Sequence, residues 1–554
     1  MNSSDSSPSS FDRRSFLRQA PAAGALLAAG SSIPATAMAG RSAGGGGYRK
    51  KRRPNPSPAQ VRRTAAYNKR LAAAIAQRNL PLPAHPSNAD ESSYPNYIGN
   101  FSKALPHDAN GEVDPSAYRK LLAAVTSGAE SDFAAIPLGG TAKLANPQAA
   151  LAFSLEGPDS HHLAIAEAPA LASAWAAGEM VEVYWRAWTR DVPFSDYGMS
   201  PAIAAAASDL SSLPDYRGPE VGGDVTPETI FRGTTDGNLV GPFLSQFLWL
   251  EVPYGATTIP QRYRTTAEND NHLTAFADWL QVRNGGSPVS SATSDGPYYI
   301  ASGRDLAEFV HYDFSYQAYL NAGLILLSFG GNAFDENNPY RSISNQGAFI
   351  SFGGAHLLDL VARAAREALK AAWFQKWRVH RRLRPEDYGG LVHRVIADAA
   401  DYPLHSSILD SAVLPLIQGA YSTSLLPLAY PEGCPTHPAY PAGHATIAGA
   451  CVTVLKAFFD ESFEIPNPVE ANALGDTLLP YGGSLTVGGE LNKLAANISH
   501  GRDTAGVHWR TDGEQGMRLG EEVAIRLLRD HKTLTNETFA GFSLTKFDGS
   551  TITV

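Results

Sequence analysis

From Tyr97 onward, apolar residues recur along most of the chain with a helical period. The clearest runs are "HLLDLVARAAREALKAAWFQKW", "ATIAGACVTVLKAFF", "GELNKLAANIS" and "GEQGMRLGEEVAIRLLRDH". Apolar side chains return every three or four residues in them, which lines one face of a helix. Alternating, strand-like runs are few and short, and "GSLTVGG" is one. "RNGGSPVSSATSDGPYY", residues 283–299, is crowded with Gly, Ser and Pro and reads as a surface loop. No internal repeat interrupts the pattern, which predicts a mainly α protein with its helices packed in bundles.

Before Tyr97 the pattern fails. Residues 40–95 hold "GRSAGGGGYRKKRRPNPSP", one short Ala-rich helical stretch and "LPLPAHPSNADESS". That is the composition of a basic, Gly- and Pro-rich linker with a helix in it, and its run at 50–53 is a solvated tether. Residues 1–39 differ again. Arg13 and Arg14 precede Phe16 and Leu17, a modest apolar stretch follows, and "AMA" stands before Gly40. These are the parts of a cleavable targeting segment, and the Arg pair with Phe-Leu resembles a bacterial twin-arginine export signal. The expectation is an exported protein, periplasmic or secreted, whose folded domain is 96–554. No later apolar run is long enough for a bilayer, so no membrane span is expected in the mature chain.

Composition narrows the function classes. At 554 residues, 44% hydrophobic and 18% charged, the chain is an ordinary globular one with material for a large core. Its formal net charge of −9 argues against nucleic-acid binding, so an anion site must come from a local concentration of basic residues. The two cysteines, Cys434 and Cys451, exclude a disulfide framework and argue against a cysteine-based zinc site. One bridge between them stays open, although Cys451 falls in an apolar helical run that suits a buried free thiol.

Three stretches within 345–554 carry candidate chemistry. In "KWRVHRRLRP" (376–385), Lys376 closes a long predicted helix, and Pro385 biases Arg384 toward extended backbone. The two cations can then converge, with Arg378, Arg381 and Arg382 adding charge, or the run can be a solvated helix end. In "YPAGHAT", Pro441 and Gly443 form a tight turn and His444 opens a helix. Backbone N–H groups there can face an anion, and an imidazole beside them suits proton transfer; a plain helix start explains the same residues. In "HGRDTAGVHWRTD", Arg502 precedes His508 by six residues and Asp512 follows by four. On a continuing helix Asp512 shares a face with His508 and can fix its tautomer, or the two form a surface pair. Taken together, Lys376, Arg384, Arg502, Gly443, His444 and His508 are the donor set of a buried oxyanion site.

These segments, in this order, resemble the vanadium-dependent haloperoxidases, which share their site with acid phosphatases of the type 2 phosphatidic acid phosphatase superfamily. Arg384 stands eight residues after Lys376, which resembles the algal bromoperoxidase branch. "PHDANGEVDP", "VGPFLSQF", "HRRLRPE", "LTVGGELNKLAANI" and "KFDG" extend the likeness over roughly 95–554. The resemblance implies two four-helix bundles with the oxyanion site at the end of one, and vanadate as cofactor. It implies His508 as the axial vanadium ligand, oriented by Asp512. Lys376, Arg384, Arg502 and the Gly443 amide would hold vanadate oxygens, with His444 as acid/base and Lys376 polarising the peroxide. His437, seven residues before His444, stands where algal enzymes carry His and fungal chloroperoxidases carry Phe. The implied activity is peroxide-dependent oxidation of bromide or iodide to hypohalous acid, which halogenates an organic acceptor. A homo-oligomer is implied too. An acid phosphatase, or an oxyanion-binding protein without turnover, is the alternative. Two departures stand out: Ala442 replaces the usual Ser, and His500 replaces an apolar residue. His500 is expected near the site or as a partly exposed structural histidine.

Overall fold

The structure is a computed structural model that describes residues 55–554; the expected export segment 1–39 lies outside the described residues. The chain divides into two units, Met1–Tyr67 and Asn68–Val554. The described part of the first is the opening of helix α1, Pro58–Arg78, none of whose residues is buried. The second unit is mainly α. Its strands, among the described residues, form four two-stranded antiparallel sheets of three to five residues per strand.

Seven helices of the second unit position the site. They are α2 (Ala174–Trp188), α3 (Gly303–Tyr312), α4 (Gly354–Phe374), α5 (Pro385–Ile396), α6 (Gly443–Phe458), α7 (Val487–Thr504) and α8 (Arg510–Lys532). Helices α4, α6, α7 and α8 pack as a four-helix bundle with α6 at its centre. Apart from His444, α6 is buried along its whole length, as an apolar helix without a polar face must be. A second group of helices gathers around α2, which packs on α5, α7 and the helices at Pro201–Ser211, Ser406–Leu409 and Val413–Tyr421. Helix α3 lies against α7.

Small residues set the distance between α6 and α8. A Cβ on Gly449 would come within 2.0 Å of the Met517 carbonyl oxygen, and one on Gly520 within 2.0 Å of the Thr446 oxygen. Only glycine lets these backbones approach so closely, and this approach brings the start of α6 beside the start of α8. The amide of Ala442 donates to the Asp512 carbonyl at 2.8 Å, locking the two helix starts together.

Two readings of the pattern need correction. "GSLTVGG" is not a strand: Thr486 is the N-cap of α7, its hydroxyl accepting from the Gly489 amide at 3.3 Å, and a single bridge to Glu464 is all the β structure it makes. Cap chemistry outweighs a short alternation. Within 283–299, Ser294–Tyr298 is a strand that pairs with Tyr263–Thr266. It is largely exposed and needs no apolar face, so composition hid it. Both cysteines are buried free thiols.

Candidate active site

The site lies where the starts of α5, α6 and α8 meet the ends of α4 and α7. Helix α4 gives way to a π turn, Gln375–His380, and Lys376 sits in it, fully buried. Its ammonium donates to the carbonyls of Pro438 and Ala439, each at 2.7 Å. Arg384 adopts the extended backbone expected before Pro385 and acts as N-cap of α5. Its guanidinium reaches the Val507 carbonyl (2.7 Å), His508 Nε2 (2.9 Å), His437 Nδ1 (2.9 Å) and the His437 carbonyl. Arg502, near the end of α7, donates to the Val310 carbonyl at 2.7 Å and lies over the Tyr430 ring.

Among the described residues, no carboxylate bonds any of these three cations. Burial, with repulsion from Arg384 and Arg502, holds the Lys376 ammonium well below its usual range. Burial pushes Arg384 down to about 10. The Nε of Arg502 is buried without a partner. Helix α6 begins beside them with Ala442 at the N-cap and no side chain capping it, so first-turn N–H groups such as that of Gly443 stay available as donors. A Cβ on Gly443 would press at 3.3 Å on both Leu369 and Trp373.

His508 and Asp512 are neither on one continuing helix nor a surface pair. Helix α7 ends in a left-handed Gly506 (φ +82°), with Gly506 N donating to Asp503 O and Val507 N to Arg502 O, the bonds of a Schellman stop. His508 then precedes α8, and Asp512 lies in the first turn of that helix. The pair forms all the same: His508 Nδ1 bonds Asp512 Oδ2 at 2.8 Å, and the Trp509 amide donates to the same oxygen at 3.2 Å. The carboxylate therefore fixes the proton on Nδ1 and leaves the lone pair on Nε2, where Arg384 meets it. Burial and the three cations keep the imidazole well below its usual range, hence neutral. Burial pushes Asp512 up to about 6 against the pull of Arg382 and Lys376.

His444 is a quarter exposed, and its Nε2 bonds Asp313 Oδ1 at 2.9 Å. Asp313 closes α3, and its side chain is buried. Nothing in "FVHYDFS" marks this aspartate, which becomes a site residue only through the packing of α3 on α7. His437 is held between Arg384 and the Trp373 ring, centroids 4.8 Å apart, and lines a cleft of about 580 Å³ with Trp373, Pro435, Val282 and Pro288. The structure thus brings together all eight expected residues. It excludes the three cations expected to add to them: Arg381 pairs with Glu91, Arg382 with Glu179 and Asp512, and Arg378 is exposed over the Phe374 ring. His500 is neither exposed nor in the cage. It is buried and bonds Asp503 at 2.8 Å.

Comparison with known proteins accords with this geometry. The chain is 35% identical to the vanadium-dependent bromoperoxidase of Corallina pilulifera, over 89% of its own length and 99% of the relative's. It belongs to the vanadium-dependent bromoperoxidase family. The bromoperoxidase of Ascophyllum nodosum is 34% identical over 90% of this chain and 95% of that one. A homohexameric second vanadate-dependent bromoperoxidase from Ascophyllum nodosum superposes with a TM-score of 0.85 at 31% identity, covering 93% of this chain and 94% of that one. Residues 356–537 match the family model of the VCPO second helical-bundle domain. The bromoperoxidase likeness reaches well beyond that segment, and so does the site: Val310 and Asp313 come from outside it.

Proposed function

We propose that this protein is a vanadate-dependent haloperoxidase that uses hydrogen peroxide to oxidise bromide or iodide to hypohalous acid, which halogenates an electron-rich organic acceptor. One observation carries this reading: three buried cations, bonded by no carboxylate among the described residues, surround an imidazole whose lone pair is presented to them. That donor set fits a vanadate, which brings several anionic oxygens and one coordination position for nitrogen. His508 Nε2 would be the ligand, and Lys376, Arg384, Arg502 and the Gly443 amide would hold the oxygens. Bound there, vanadate supplies Lewis acidity at its highest oxidation state and activates peroxide toward halide.

The chain's own residues do the rest. Lys376, Arg384 and Arg502 neutralise oxygen charge in a buried site, where that charge is worth most. Asp313 holds Nε2 of His444 and so leaves Nδ1 to take and return the proton of the peroxide. Lys376 would also donate a hydrogen bond toward peroxide in the site. The cleft at Trp373 and His437 gives an organic acceptor room to approach. The relatives' names support bromide, and His437 in place of Phe supports little chloride oxidation. The two alternatives, phosphatase and binding without turnover, have no observation of their own in their favour.

Export through the twin-arginine route to the periplasm or beyond is our reading of residues 1–39, and a homo-oligomer is our reading of the homohexameric relative. Folded protein in the periplasmic fraction that vanishes with Arg13→Lys/Arg14→Lys checks the first; light scattering on the purified protein checks the second. For the activity, purified protein is assayed for bromination of a phenolic dye with and without orthovanadate, beside hydrolysis of an aryl phosphate. Bromination that needs vanadate and is suppressed by excess phosphate is expected. Full activity after exhaustive vanadium removal, or phosphate hydrolysis alone, would overturn the reading.

A further inference from the structure

We propose that Glu179, on α2, is a positioning residue of the oxyanion site: through Arg382 it fixes Asp512, and through Asp512 the ring of His508. The proposal rests on the oxyanion reading above. Asp512 orients His508 with one oxygen, Oδ2, but a carboxylate held by one oxygen can still turn. Its other oxygen, Oδ1, accepts from Arg382 Nη1 at 2.9 Å. Arg382 is a long side chain with much rotamer freedom to lose. The other arm of its fork is held by Glu179 Oε2 at 2.8 Å. Glu179 Oε1 in turn accepts from the Thr511 amide at 2.6 Å and from the Thr511 hydroxyl. One carboxylate thus satisfies an otherwise unpaired N–H in the first turn of α8 and anchors the arginine that holds Asp512. All four side chains, Glu179, Arg382, Asp512 and His508, are buried.

This chain of bonds is more than a fastening between α2 and α8. That task is already done one turn along α2, where Glu182 accepts from Arg510 Nε at 2.8 Å and from Arg186 of its own helix at 2.7 Å. Glu182 bonds Arg186 and Arg510, not Arg382 or Asp512. The bonds from Glu179 add something the bonds from Glu182 do not: they end on the imidazole. Glu179 also lies far before residues 356–537, so the part of the chain matched by the helical-bundle family model does not contain its own support.

The test compares Glu179→Gln, Arg382→Lys and Glu182→Gln in the full chain. In the first, the glutamine amide cannot accept on both sides as the carboxylate does. In the second, the lysine keeps the charge without the fork. The readouts are the dissociation constant for vanadate by equilibrium dialysis, the same constant for inorganic phosphate, and the thermal midpoint without either anion. We expect Glu179→Gln and Arg382→Lys to weaken vanadate binding about 10–100-fold, as loss of a support behind a metal-binding histidine does. Glu182→Gln should lower the thermal midpoint as much and leave vanadate binding within about twofold of wild type. Unchanged affinity in Glu179→Gln would overturn the proposal. So would an equal loss in Glu182→Gln, which would make the effect one of stability alone, and so would wild-type affinity in Arg382→Lys. If wild type binds phosphate but not vanadate, the haloperoxidase reading fails instead, and the same ranking is expected for the phosphate constants.

Discussion

Two clusters of buried charge lie on either side of Asp512. On one side, Lys376, Arg384 and Arg502 bond carbonyls and imidazoles, but no carboxylate among the described residues. On the other, Arg382, Arg186 and Arg510 are bonded to Glu179, Glu182 and Asp512. Their ionisation differs accordingly. Burial moves two of the first group toward neutrality, with Lys376 well below its usual range and Arg384 at about 10. In the second, Arg382 and Glu182 go the other way despite burial: Glu179 and Asp512 hold Arg382 above its ordinary value, and Arg510 and Arg186 hold Glu182 down at about 2. Lack of a carboxylate is not diagnostic by itself. Among the described residues Arg190 has none either, but it is wrapped by the oxygens of Thr504, Asn271 and Pro427. The cage is distinguished by three such cations repelling one another around a helix start. The fold carries that cost at a place where a multiply charged oxyanion offsets it.

The sharpest way to break the contrast is to put a carboxylate into the cage. Ala442→Asp places one at the N-cap of α6, where Asp is also a good cap. The thermal midpoint of the anion-free protein should rise, and vanadate binding should weaken roughly a hundredfold or more, because like charges brought together cost several kcal/mol. Undiminished binding would mean that position 442 does not face the anion. His508→Ala should abolish vanadate-dependent turnover. His444→Ala should cut turnover about 10²–10⁴-fold, the usual worth of a general acid–base, and leave most vanadate binding in place. Equal loss of binding in both variants would refute the division of roles between ligand and proton carrier.

The paired cluster makes a prediction of its own. The pKa of Glu182 is depressed from 4.5 to about 2 in the fold, so its contribution to stability is complete above about pH 4.5 and drains away as pH falls through 2. The group is fully buried, and the shift corresponds to roughly 3 kcal/mol. Thermal midpoints of wild type and Glu182→Gln should therefore differ most above pH 4.5 and converge toward pH 2. A gap that is constant with pH would show that the ion pair is not what the variant loses.

This division of charge was only half legible in the sequence. The helices that carry the site are, because apolar residues at three- and four-residue spacing are a local signal; α4, α6, α7 and α8 all fall on such runs. The eight cage residues are legible as well, since the motifs that hold them are short and their backbone geometry is local: Pro385 after Arg384, Gly443 before His444. The partners are not. In "HRRLRP" the cations look alike, and only the fold separates Arg384, turned to the cage, from Arg381 and Arg382, turned to Glu91 and Glu179. Asp313 and Glu179 reach the site from helices separated from the motifs by tens to hundreds of residues. The spacing of His508 and Asp512 makes their contact legible but not its setting, because the contact is made across an N-terminal first turn after a glycine stop.

Ala442→Ser sharpens the contrast gently. The hydroxyl caps α6 and adds a neutral donor beside the cations without adding charge. A hydrogen bond to a charged group is worth about 1.5–3 kcal/mol, so vanadate should bind about tenfold or more tightly and be lost more slowly on dialysis. No change would mean that the turn at Pro441 has been shaped around alanine and directs the side chain elsewhere.

The smallest effect belongs to His437, which tests where the cage ends. Arg384 bonds it twice over, through Nδ1 of the ring and through its backbone carbonyl, and the ring packs on Trp373. Burial, with Lys376 and Arg384 nearby, keeps this imidazole well below its usual range, so it accepts from the arginine and adds no charge. His437→Phe removes the ring acceptor but keeps the carbonyl and the contact with Trp373; His437→Ala removes both side-chain contacts. With the carbonyl still in place, the loss of one acceptor should cost about 1 kcal/mol, or roughly fivefold in vanadate affinity, with Ala somewhat worse than Phe. Bromide oxidation at saturating vanadate should change only a few-fold, and wild type should oxidise chloride poorly. Efficient chloride oxidation by wild type would overturn the halide preference. A hundredfold loss of bromide turnover in His437→Phe, at unchanged vanadate affinity, would move His437 from the wall of the cage to the chemistry within it.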